Sequence, residues 1–173
     1  MSTFKDSEIR AQALVFYEED IQAIVSILDA FLKKSAARCA ILIDKDGHMI
    51  TARGATGGVD LDTISALVAG SFAATQALAK QFGETDFTAL FHQGRSGNIQ
   101  LSLVADRALL TALFEDNTTI GMVRLYAAES AKRLAEIFRK KTERRRDGHR
   151  PAAPDAERFG EESGDALDNV LGG

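Results

Sequence analysis

ARCAILIDKDGHMITAR, residues 37–53, decides the fold, because it joins a short apolar run to a second strand-like run through a polar turn. The apolar run at 37–43 is too short for a core helix, and the turn at 44–47 ends in glycine. Residues 48–53 then resume a strand pattern. We therefore expect a β-hairpin whose first strand is covered on both faces.

Helical patterns flank the hairpin on both sides. Before it, residues 17–34 repeat apolar side chains with the spacing of one helical face: Ile21, Ile24, Val25, Leu28 and Leu32. After it, a second helix begins at Asp60 or Asp62, either of which can cap its first turn. This helix runs to Gln81, and Gly83 stops it.

Three strand-like segments and a third helix complete the folded part. The strands are expected at 87–93, 99–105 and 109–114, and the polar residues 116–119 signal a helix start. The third helix runs to about Lys141, with an inner face of Ile120, Val123, Ala127, Leu134 and Phe138. The order α-β-β-α-β-β-β-α predicts an α+β fold, a five-stranded mainly antiparallel sheet sandwiched by helices.

Composition divides the chain into four parts. Residues 1–16 form an N-terminal extension, and residues 17–141 form the folded domain. Residues 142–154 are a basic, proline-containing linker, and we expect the like-charge run at 139–150 to be disordered when alone. Residues 155–173 are an acidic, amphipathic C-terminal tail.

Composition and charge also restrict the function classes. With 173 residues and a net charge of -4, the chain has the size of one domain and no basic face for nucleic acid. One cysteine, Cys39, cannot form an internal disulfide, and the charged N-terminus is unlike a secretory signal. No apolar run is long enough to span a membrane. These features predict a cytoplasmic protein without nucleic-acid binding or membrane insertion.

The sequence lacks motifs for catalysis, metals and cofactors. Residues 54–58 are glycine-rich without the lysine of a nucleotide-binding loop, and Ala55 stands where a calcium loop starting at Asp44 requires glutamate. Ser96 lies one residue short of a nucleophile-elbow pattern. The histidines are widely separated: His48, His92 and His149. We expect a protein that is not an enzyme, with no catalytic residue, metal or cofactor.

The second helix has two apolar sides of different bulk. One side suits a core: Ile64, Leu67, Val68, Leu78 and Phe82. The other side holds small residues: Ala66, Ala69, Gly70, Ala73 and Ala77. Small side chains fill a core poorly but let another backbone come close, and glycine costs about 1 kcal/mol of helix propensity. The small residues indicate a surface for a second copy or a partner. One alternative is that they only favour helix formation, and another is that they allow a tight contact with the chain's own sheet.

A second candidate contact lies in the C-terminal tail. Its apolar residues have the spacing of a short amphipathic helix: Ala166, Leu167, Val170 and Leu171. A helix this short is unstable alone, and such segments commonly fold against a partner groove. The tail is therefore either a partner-binding segment that uses Leu167, Val170 and Leu171, or an acidic solubilising tail.

Several short stretches occur in a fixed order and spacing: YEE at 17–19, ILIDKDG at 41–47, LVAG at 67–70 continuing through Ala73 to ALAK at 77–80, FHQG at 91–94, and FEDNTTIGMVRL at 114–125. Together they resemble the Roadblock domain of dynein light-chain type, and in particular its bacterial MglB branch. The resemblance covers roughly residues 16–139. The N-terminal extension and the arginine-rich linker depart from it.

The resemblance implies a homodimer, in which third strands pair edge to edge and second helices lie side by side. It implies a GTPase-activating protein for a small Ras-like GTPase of the MglA type, in cell polarity or gliding motility. Two regulator chains would act on each GTPase through the second-helix surface, without supplying a catalytic residue. A Roadblock scaffold that binds without stimulating hydrolysis is the main alternative. A small-ligand sensor would need a polar pocket with convergent charged groups, which the sequence does not offer.

Overall fold

The computed structural model describes residues 16–146, which form three helices and five strands in the expected order. The elements are α1 (Glu18–Ser35), β1 (Cys39–Asp44), β2 (Met49–Gly54), α2 (Leu61–Gln81), β3 (Ala89–Gln93), β4 (Asn98–Val104), β5 (Ala108–Phe114) and α3 (Ile120–Arg146). Among them, no helix combines the length and apolar character needed to cross a membrane. Residues 1–15 and 147–173 lie outside the described part, and the predictions for them stay predictions.

The five strands form one antiparallel sheet in the order β2-β1-β5-β4-β3. Every residue of β1 is buried, which confirms that the first strand of the hairpin is covered on both faces. The hairpin turn ends at Gly47, whose φ of +93° is a conformation that glycine adopts readily. This order leaves β2 and β3 as the two edge strands of the sheet.

Helices cover both faces of the sheet. On one face, α1 and α3 contribute to a core cluster that includes Leu28, Phe31, Leu110, Val123 and Phe138. On the opposite face, α2 packs Ala69 and Phe72 against the strands at Leu101 and Leu109. Successive residues of β5 belong to different clusters because side chains alternate along a strand. The architecture is the α+β sandwich that the sequence predicts, and the inner face of the third helix is confirmed.

Both ends of α2 carry the predicted signals. Asp60 is the N-cap, and its carboxylate accepts backbone hydrogen bonds from Asp62 and Thr63, each at 3.2 Å. The Thr63 hydroxyl also donates to this carboxylate at 2.6 Å, and these bonds from Thr63 lower the pKa of Asp60. At the other end, Gly83 has a φ of +82° and donates its N–H to the Lys80 carbonyl at 3.1 Å.

The last helix is longer than the sequence pattern indicates. We expect its end near Lys141, but α3 continues to Arg146. Residues 142–146 contain neither glycine nor proline and are rich in helix-forming side chains, so the first part of the basic run continues the helix. The expected disorder of the run at 139–150 is therefore wrong for residues 139–146. By its internal contacts the chain forms two compact units, the first of which ends at Arg139. The packing of the helices on the sheet described above lies within this first unit.

Candidate protein-binding surface

The side of α2 that faces away from the sheet is apolar and uncharged. Ser65, Ala69 and Phe72 are the buried residues of this helix. The opposite, exposed side is the outer face of α2, which comprises Ala66, Leu67, Gly70, Ala73, Ala74, Ala77 and Leu78. No charged residue occurs between Asp62 and Lys80. Surface helices normally carry charged and polar residues outward, so a continuous apolar face marks a candidate interaction site.

For two of the five small residues of α2, packing within the chain accounts for the small side chain. The hairpin turn approaches α2 at Gly47, where an added Cβ would lie 3.0 Å from the Cα of Ala66 and 3.6 Å from the Cβ of Ala69. Ala69 is also only 7% exposed and belongs to the cluster with Phe72. A close internal contact therefore explains the small side chains at Ala66 and Ala69, although Ala66 remains exposed.

The other three small residues, Gly70, Ala73 and Ala77, are exposed. An added Cβ at Gly70 would meet nothing within 4 Å, so the surrounding chain gives no steric reason for glycine there. A mid-helix glycine costs roughly 1 kcal/mol relative to alanine. Close approach of a second backbone is a physical reason for accepting that cost, and these three residues form the centre of the candidate surface.

The expectation that the bulky side of α2 fills the core is wrong for three residues. Leu67 is 66% exposed, Leu78 is 56% exposed and Phe82 is 83% exposed. Ile64 and Val68 are the two bulky residues that are partly buried. The helix meets the sheet along a strip of small side chains and one phenylalanine, which turns the other bulky residues toward solvent. Leu67 and Leu78 therefore add apolar area to the outer face of α2.

The edge strand β3 is a second unpartnered element beside α2. Because β3 is at the end of the strand order, its outer backbone groups have no strand partner among residues 16–146. Ala89, His92 and Gln93 are exposed along it. The Nε2 atom of His92 lies 3.5 Å from the Oγ atom of Ser71 in α2. This contact makes the edge strand and the helix neighbours on one side of the domain.

Residues capable of chemistry are not gathered at this surface. Burial raises the pKa of the Cys39 thiol, against a smaller opposing effect of the Arg38 charge, so this thiol is a weak nucleophile at neutral pH. His48 contacts the Asp44 carboxylate at 3.2 Å within the hairpin. Arg95 is exposed between β3 and β4. Across the described residues, no group of three or more potential metal ligands occurs.

The family comparison identifies the domain type. A family model described as the Roadblock/LC7 domain matches residues 24–114, which extend from α1 to the end of β5. This match includes the hairpin, the whole of α2 and the edge strand β3. A search of curated protein sequences gave no match.

Solved structures of MglB proteins share both fold and sequence with this chain. MglB of Myxococcus xanthus is 34% identical with a TM-score of 0.69, over 73% of this chain and 96% of that one. The gliding protein MglB of Thermus thermophilus is 34% identical with a TM-score of 0.68, over 74% and 97% of the two chains. A structure described as MglB with tetrameric arrangement is 35% identical with a TM-score of 0.68, over 74% and 96%.

Proposed function

This chain belongs to the Roadblock/LC7 domain family, and from that premise we propose that it is a cytoplasmic, homodimeric GTPase-activating protein for a small Ras-like GTPase of the MglA type. Similarity to MglB proteins at 34% identity supports a GTPase-associated regulator. The finer role rests on the resemblance to the MglB branch, whose members rearrange the catalytic groups of their GTPase without supplying one. The process served is cell polarity or gliding motility.

The observation that carries this proposal is the outer face of α2. Gly70, Ala73 and Ala77 form a shallow strip that another backbone can approach, and exposed leucines border this strip. Excluding water from apolar surface stabilises a complex by roughly 25 cal/mol per Å². Ala66 lies on the same exposed side, whereas Ala69 supports the helix from beneath. The proposed partner contact therefore uses the four exposed small residues directly and Ala69 indirectly.

The C-terminal tail is a second proposed contact with the GTPase. Its apolar residues Leu167, Val170 and Leu171 lie outside the described residues, and the sequence pattern alone supports this role. An amphipathic segment of this length gains its helical structure by docking into a partner groove.

The direct test is phosphate release from a GTP-loaded, MglA-type GTPase with and without the full-length protein. We expect the protein to accelerate hydrolysis and to bind the GTP-loaded form in a parallel titration. Tight binding without acceleration would establish the alternative, a scaffold that holds the GTPase without activating it. Absence of binding at micromolar concentrations would contradict both functions.

The edge strand β3 and the outer face of α2 predict a dimer in solution. Pairing of two β3 edges would satisfy exposed backbone groups, and a two-fold arrangement would also bring the two α2 helices together. Light scattering should give about 37 kDa, twice the 18.7 kDa mass of one chain. A mass of one chain at micromolar concentration would contradict the dimer.

Arg95 provides a test of the non-catalytic mechanism. It is an exposed arginine between β3 and β4, and an arginine finger in such a position would contribute about 10³-fold or more to GTP hydrolysis. We expect Arg95→Ala to reduce stimulation by less than about tenfold, or ~1.4 kcal/mol. Single-turnover hydrolysis at saturating activator measures this effect. A loss of several hundredfold would assign Arg95 a catalytic role.

A further inference from the structure

Arg124 of α3 connects this helix to the edge of the sheet. Its Nε atom donates a hydrogen bond to the Oε1 atom of Gln100 at 3.3 Å, and its guanidinium carbon lies 5.9 Å from the centre of the Phe91 ring. Gln100 of β4 and Phe91 of the edge strand β3 are paired directly across the two strands. A single side chain of α3 therefore contacts both members of the last strand pair of the sheet.

Gln100 provides a fixed acceptor for the arginine. It is only 1% exposed, and its Nε2 atom donates to the backbone oxygen of Leu101 at 2.9 Å. The bond from Arg124 satisfies the Oε1 atom of this buried amide, which would be costly to leave without a partner. This bond also orients the Arg124 side chain toward the sheet, where its guanidinium reaches the ring of β3.

No ion pair accounts for the charge of Arg124. Among the described side chains, no carboxylate forms a salt bridge with this arginine. A guanidinium within about 6 Å of an aromatic ring is attracted to the face of that ring. The contact with Phe91 is therefore the interaction that explains a positively charged side chain at this position of α3.

The edge strand β3 has little other support. It pairs with β4 alone, and none of its five residues is buried. On the α2 side, the contact between Ser71 and His92 is 3.5 Å long, the outer limit of a hydrogen bond. On the α3 side, the Phe91 ring stacks on Phe114 at 6.2 Å. Segments with few buried contacts open locally at low cost in free energy, so the Arg124 contact is an important restraint on β3.

We propose that Arg124 is a positioning residue for dimer formation, which holds β3 ordered for edge-to-edge pairing with a second copy of the chain. This inference rests on the dimer proposed above. A strand that is already ordered loses less conformational entropy when it pairs, and two such strands meet in each dimer. Arg124 acts through Phe91, so this role requires no contact between Arg124 and the GTPase.

The test is the dimer dissociation constant of Arg124→Gln, measured by sedimentation equilibrium on the full-length protein. Glutamine places an amide nitrogen where the Nε atom of Arg124 lies, so the bond to Gln100 can remain while the guanidinium over Phe91 is lost. We expect the Kd of the dimer to rise about tenfold, or ~1.4 kcal/mol. Backbone amide hydrogens of residues 89–93 should exchange faster, whereas those of residues 39–44 should exchange at the original rate.

Three further variants separate this role from a general effect of charge. Arg133→Gln makes the same change at another exposed position of α3 and should keep the dimer Kd within about twofold. Arg124→Lys retains a cation beside Phe91 and should recover the Kd to within about threefold. In a Phe91→Leu background, Arg124→Gln should have little additional effect, because the ring through which the arginine acts is absent.

The outcomes distinguish this role from the dimer itself. An unchanged Kd in Arg124→Gln, with the original protein dimeric, would overturn the role of Arg124 and leave the dimer intact. A monomeric original protein would contradict both. At concentrations well above its dimer Kd, Arg124→Gln should stimulate the GTPase normally. A loss of stimulation under those conditions would place Arg124 in the GTPase contact and would also overturn the positioning role.

Discussion

Gly54→Ala is expected to destabilise the domain by about 3–5 kcal/mol, among the largest effects for a single substitution. Gly54 ends β2 with a φ of +90°, where any other residue is strained. An added Cβ would lie 2.5 Å from the carbonyl oxygen of Arg38 and 2.9 Å from the Cα of Cys39. Both are backbone atoms of the neighbouring chain segment, so no side-chain rotation relieves the contact.

Urea unfolding followed by circular dichroism measures this effect. Gly57→Ala is the matched control, because an added Cβ at Gly57 meets nothing within 4 Å. It should change the free energy of unfolding by no more than about 0.5 kcal/mol. Equal stability of the two variants would show that the end of β2 adjusts around the new methyl group, contrary to the packing described.

Ala73→Arg is expected to abolish most GTPase stimulation, with a loss of affinity for the GTPase of about 100-fold, or ~2.7 kcal/mol. Ala73 is exposed near the middle of the outer face of α2, so a long charged side chain there would keep a partner backbone away. Bringing the guanidinium into an apolar contact would also cost hydration. Arginine is a good helix former, and the variant should remain folded.

A matched control for this variant is Ala128→Arg, which places the same side chain at an exposed position of α3. It should stimulate hydrolysis within about twofold of the original protein, because α3 packs on the other face of the sheet. Light scattering of both variants separates loss of the GTPase contact from loss of the dimer. Normal stimulation by Ala73→Arg would show that the small residues serve internal packing alone.

Local signals in the sequence are sufficient to predict most of the fold. The cap at Asp60, the stop at Gly83 and the turn glycine at Gly47 each act on the few residues around them, and the structure confirms all three. The predicted end of α3 is too early, because a run of basic residues resembles a linker in composition. Charge alone does not end a helix; a glycine or proline would, and neither occurs in α3 between Met122 and Arg146.

The orientation of α2 could not be predicted, because this helix is apolar on nearly all sides. A helix with a polar side fixes which residues face the core, but residues 63–79 contain no charge to mark a solvent side. The lack of charged residues nevertheless predicts one property of α2: one of its apolar sides remains exposed to solvent. The exposed Leu67 and Leu78 are its consequence.

The position of β1 between β2 and β5 determines the order in which the sheet can assemble. The hairpin partner β2 follows after a tight turn, so this pairing can form within about 1–10 μs. The other partner is distant in the chain, since pairing Cys39 with Leu113 closes a loop that contains all of α2, β3 and β4. The entropy of that closure is lost before the new contacts stabilise the chain. Joining of β1 to β5 is therefore the slow step expected in folding. It completes the sheet against which helices pack on both faces.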